Sequence, residues 1–85
     1  MTRQEAEKEF TEARVKKGRS PANHFIYWIR WAKRELAEKR AMDLDGPEFQ
    51  EVLRSLCMTN RYHYFNWLEG QLKLHLECLL ALTEP

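Results

Sequence analysis

Glycine and proline are scarce in these 85 residues, with three of each. That scarcity excludes a collagen repeat and a flexible linker. Gly18, Gly46 and Gly70 also stand too far apart to form a phosphate-cradling loop. Cysteine is limited to Cys57 and Cys78, and one pair with no framework spacing points to buried, reduced thiols rather than a disulfide scaffold. Apolar runs stop at five residues, as in Cys78 to Leu82, far short of the roughly 18 that a membrane-spanning helix requires. The first 20 residues hold no apolar stretch of signal-peptide length, so a cytoplasmic protein without a membrane partner is expected. Charge of one sign is also missing overall: 14 basic and 13 acidic side chains leave a net charge of +1, low for a dedicated nucleic-acid module.

What is present is helical. With 44% hydrophobic and 32% charged residues, the chain reads as a single domain over 1–85, with 1–19 a loosely docked N-terminal helix. The expected fold is all-α, a small bundle of three or four helices completed by homodimerisation. Charge is uneven along it: residues 1–41 carry 11 basic and 6 acidic side chains, and residues 42–85 carry 3 and 7.

Four segments are predicted, near 4–17, 21–41, 47–59 and 61–82. Thr2 and Glu5 have capping-box spacing, Phe10 is the one large apolar anchor of the first segment, and Gly18 is placed to end it. Ser20-Pro21 restarts the chain as N-cap and N1. Phe25, Ile29, Ala32 and Leu36 then align as a core stripe flanked by Trp28, with Tyr27, Trp31 and Met42 on a second side near Arg30 and Arg34. Asp45 reads as the next N-cap with Glu48 at N3, and Leu44 and Phe49 as its hydrophobic staple. The stripe continues through Val52/Leu53 and Leu56/Cys57 until polar Asn60 predicts a break near Thr59 to Arg61.

The last segment carries two patterns. Leu72, Leu74, Leu76 and Cys78 alternate with period two and admit a hairpin turning at Gly70. Phe65, Leu68, Leu72, Leu76 and Leu79 fit a helix, and the lack of β-branched residues from Tyr62 to Leu82 favours it. Trp67, Leu74 and Cys78 form a second apolar row, which predicts either a central helix or a twofold dimer interface along Phe65 to Leu82.

No enzymatic signature emerges. His75 and Cys78 are three apart, but a thiol among leucines is raised rather than activated. Cys57, His63, His75 and Cys78 carry ligand chemistry without CxxC or HxxxH spacing. Asp43 and Asp45 lack the remaining ligands of a calcium loop. No metal or cofactor is expected, and His24 reads as a solvated side chain or a weak local hydrogen bonder in the first turn of the second helix.

Binding is the better reading. Three Trp, three Tyr and four Phe exceed what a small core readily absorbs, and interface hot spots favour Trp, Tyr and Arg. Tyr27, Arg30, Trp31 and Arg34 form one candidate patch for another protein, and Tyr62, Tyr64 and Trp67 a second. A non-enzymatic regulatory or adaptor protein is therefore expected. The alternative is nucleic-acid binding by Arg14, Lys16, Lys17, Arg19, Arg30, Lys33 and Arg34, with Tyr27 and Trp31 stacking on bases.

Overall fold

The computed structural model describes residues 1–84. They form four α-helices, α1 (Arg3–Glu12), α2 (Pro21–Arg40), α3 (Pro47–Ser55) and α4 (Arg61–Thr83), with no strand among the described residues. The all-α bundle expected from the sequence is what the chain adopts.

Local chemistry sets most boundaries. Thr2 and Glu5 complete a reciprocal capping box, the Ser20 hydroxyl accepts from the Asn23 N–H ahead of Pro21, and the Asn60 side chain accepts from the His63 N–H to start α4. Besides the end of α3, which falls at Ser55 rather than near 59, two features differ from expectation. First, α1 stops at Glu12 with Ala13 extended, and Lys17 and Gly18 take positive φ in the turn that feeds α2. Gly18 therefore serves this connection rather than the helix end. Second, α3 is capped by Gly46 with no side-chain bond, while the Asp45 carboxylate accepts from the Arg61 guanidinium. An ion pair to the next helix has taken the side chain that the capping pattern assigned to the backbone.

The helices α2 and α4 form a spine with a cluster at each end. Ala32 and Leu36 pack with Phe49 and Leu53 of α3 and with Tyr64 and Leu68 of α4. At the other end Phe25 packs with Ala6 of α1 and with Cys78 and Ala81 of α4. The pairing places early α2 against late α4, so the two helices run antiparallel, and α1 and α3 cover opposite ends of a molecule 46 × 21 × 18 Å. Fully burying Phe25 and Phe49 stabilises the clusters by about 2 to 3 kcal/mol each.

Gly70 lies inside continuous helix, which removes the hairpin. Both apolar rows of α4 are used within the chain: Leu68 and Cys78 are fully buried, and Trp67, Leu72, Leu74 and Leu79 pack against the two clusters. Leu76 and Leu80 remain outward, at 38% and 57% exposure. Met42, placed on the outer side by periodicity, instead packs on the α3 end of the core because α2 has already ended at Arg40. Leu56 and Cys57 leave the stripe for the same reason, since the chain turns at Cys57 with φ of 56° and both side chains are exposed.

Candidate functional site

The connection between α1 and α2 does not seal the spine. Along the side of α2 that carries His24, Trp28 and Trp31, and the side of α4 that carries Trp67, Leu74 and His75, an open cleft of about 530 Å³ remains. Its lip is formed by the end of α1 and the residues after it, including Glu9, Glu12, Arg14 and Val15. That volume lies within the usual range for ligand-sized pockets.

Aromatic rings build the walls. Trp31 stands edge to face against Trp28, at 5.4 Å and 80°, and against Trp67, at 6.2 Å and 78°. Trp31 is half-buried and packs on the core, so the outward position expected for it is corrected: α4 lies alongside this flank of α2 and draws the indole toward Trp67. Tyr27 lies i−4 to Trp31 yet remains on the outer surface at 39% exposure, with the Arg19 guanidinium 3.8 Å from its ring centroid. The first candidate patch is thereby divided, with Trp31 in the cleft and Tyr27, Arg30 and Arg34 on the outside of α2. The second divides as well. Tyr64 is core at 2% exposure, where burial raises its phenol pKa, Tyr62 is 74% exposed, and Trp67 lines the cleft.

Two histidines meet on the wall of the cleft. His24 is 3% exposed, contrary to the solvated position expected of a first-turn residue. Phe10 of α1 packs against its ring at 5.2 Å, and His75 lies 6.5 Å away. Its Nδ1 has no hydrogen-bond partner among the described residues. Burial, aided by His75, Arg19 and Lys16, lowers the His24 pKa from its ordinary 6.5 and keeps the ring neutral at pH 7. The Nδ1 of His75 lies 2.6 Å from the Gln71 carbonyl and donates to it, because a carbonyl oxygen only accepts. Beside them the Cys78 thiol is pushed up to about 11, first by burial and then by Glu9 and Glu77. It stays protonated at neutral pH and packs as an apolar group, with Met1 Sδ at 3.4 Å. Cys57 is exposed and also free.

The basic side chains fall into two sets. Arg3, Lys8, Lys39, Arg40, Arg54 and Arg61 each lie within 4.0 Å of a carboxylate. Among the described residues no such pair involves Arg14, Lys16, Lys17, Arg19, Arg30, Lys33 or Arg34. These seven stand in a stretch, from Ala13 to Arg34, that contains no acidic residue. Lys16 is anchored by donating to the Thr11 carbonyl, and Arg19 by stacking on Tyr27. Lys17, Arg30, Lys33 and Arg34 are exposed.

Sequence reasoning named His24 and Trp28 but assigned neither to a site. The available signal was their i,i+4 spacing, which with Trp31 puts three rings on one flank of α2. Comparison with protein-family models, curated proteins and solved structures returned no match, and the functional reading rests on the residues themselves.

Proposed function

We propose that this protein acts by binding another protein without catalysing a reaction, and that the cleft between α1, α2 and α4 receives a partner segment bearing bulky apolar side chains. The observation that carries this reading is the convergence of Trp28, Trp31 and Trp67 on a cleft that the chain leaves unfilled. Large rings on rigid helices supply contact area at little entropic cost, and Trp is the residue most enriched at binding hot spots. Arg14, Glu9 and Glu12 on the lip form the polar rim that such interfaces carry. The role is that of an adaptor or regulator, and the cytoplasm suits its two unpaired thiols. If two copies meet along α4, Leu76 and Leu80 form the seam, and Leu80→Glu would restore a monomeric mass in light scattering.

Site-specific photo-crosslinking in cells tests the proposal. Val15, on the cleft lip, and Leu56, at the end of α3, are almost equally exposed, at 46% and 43%. Benzoylphenylalanine at Val15 should yield one discrete protein adduct that survives nuclease and disappears in the Trp28→Leu background. Position 56 should yield none. Identical adducts from both positions, or no adduct from Val15, would sink the proposal.

A further inference from the structure

We infer that the outer face of α2 is a second, separate binding surface, and that it takes nucleic acid through the phosphate backbone without reading bases. Tyr27, Arg30, Lys33 and Arg34 recur at three- and four-residue spacing and so share one side of the helix, facing away from the core stripe of Phe25, Ile29, Ala32 and Leu36. Lys17 extends the charge into the preceding turn, and Arg19 lies over Tyr27.

Neutralisation separates these cations from the rest. Among the described residues, six of the seven other basic side chains lie within 4.0 Å of a carboxylate, Lys73 being the exception, and none of the seven between Arg14 and Arg34 does. In a chain with 13 acidic side chains and a net charge of +1, that distribution leaves Lys17, Arg30, Lys33 and Arg34 as a net positive strip, interrupted on its face by the exposed carboxylate of Glu38 one turn beyond Arg34. The strip complements a polymer carrying one negative charge per about 1.7 Å of duplex axis.

Its composition separates nucleic acid from an acidic protein as the occupant. Protein interfaces need a desolvated apolar centre, whereas Arg30, Lys33 and Arg34 stand around a single aromatic side chain, Tyr27, already roofed by Arg19. Phosphates bind such a row of cations directly, Lys as a point charge and Arg through its planar fork of N–H donors. With Tyr27 covered on one face and the three indoles turned into the cleft, the surface offers little for base stacking. Affinity should therefore be largely independent of sequence.

Fluorescence anisotropy with a labelled single strand and a labelled duplex, titrated across salt, tests the inference and separates the two forms of nucleic acid. Engagement of Lys17, Arg30, Lys33 and Arg34 predicts log–log salt slopes of about −2.8 for the single strand and about −3.6 for the duplex. For the single strand this is an affinity loss of about 50-fold between about 50 and 200 mM salt. The double variant Arg30→Gln/Arg34→Gln should halve the slope, to a loss of about 7-fold. Arg40→Gln, which removes a cation already paired with Glu69, should leave the slope unchanged. These positions are exposed, and circular dichroism of each variant verifies the fold. A flat salt dependence, an equal effect of Arg40→Gln, or equal affinity for poly-glutamate or anionic vesicles would overturn the inference.

Discussion

The indole of Trp31 meets that of Trp67 edge to face, with centroids 6.2 Å apart and planes at 78°. This contact joins α2 to α4 and forms one wall of the cleft, so a ring that resembles a surface anchor also holds the spine together. Trp31→Ala should cost about 2 kcal/mol in urea denaturation, below the range for fully buried tryptophans because the ring is half-buried. An unchanged midpoint would mean that the indole does not pack between the helices.

Acid should loosen the α1 end of the molecule. The His24 pKa is lowered in the fold, by burial first and then by His75, Arg19 and Lys16, so the unfolded chain binds this proton more readily than the folded one. Stability from this group is full above the unfolded pKa near 6.5 and declines as pH falls from there toward the lowered folded value. Glu9 and Glu12 of α1, Arg14 of the following turn, and His75 and Cys78 of α4 are the other titratable groups lining this region, and Phe10 packs directly on the His24 ring. Thermal midpoints measured from pH 7.5 to 5 should fall in the wild type and fall less in His24→Phe. Parallel curves would assign the acid sensitivity elsewhere.

Caps distinguish two polar residues that look alike in sequence. Asn60 bonds the His63 N–H at 2.9 Å, so Asn60→Ala should cost about 1 kcal/mol. The Asp45 carboxylate instead pairs with Arg61 on an exposed surface, so Asp45→Ala should cost no more than about 0.5 kcal/mol. Equal losses in chemical denaturation would return Asp45 to the role of cap.

Gly70 offers a gain. It lies in the interior of α4, and a β-carbon added there meets nothing within 4 Å. Gly70→Ala should therefore stabilise the protein by about 1 kcal/mol. A loss would indicate that a partner or second copy approaches this backbone closely.

Much of the fold was legible because helix starts are local chemistry: Thr2, Ser20 and Asn60 each satisfy an N–H three residues ahead, and the Phe25 to Leu36 stripe repeats at helical spacing. What escaped was tertiary. Periodicity puts Trp31 and Tyr27 on neighbouring positions of α2, and only the place of α4 decides that one ring turns inward while the other stays out. Asp45 has a capping pattern, yet Arg61, sixteen residues away, holds its carboxylate. Tyr64 stands beside exposed Tyr62 in sequence but meets Phe49 at 5.5 Å in the core. His24 is buried because α1 folds back far enough to lay Phe10 on it, a contact that no short-range pattern encodes.

The decisive measurement is a paired capture experiment that scores protein and nucleic acid separately for the wild type, Trp28→Leu and Arg30→Gln/Arg34→Gln. Trp28→Leu keeps apolar bulk in the cleft while removing its ring, and the double variant changes only the outer face of α2. Two independent surfaces require that Trp28→Leu lose the protein partner and retain nucleic acid, and that the double variant do the reverse. Loss of both partners in either variant, with circular dichroism showing the helices intact, would contradict the separation of cleft from strip.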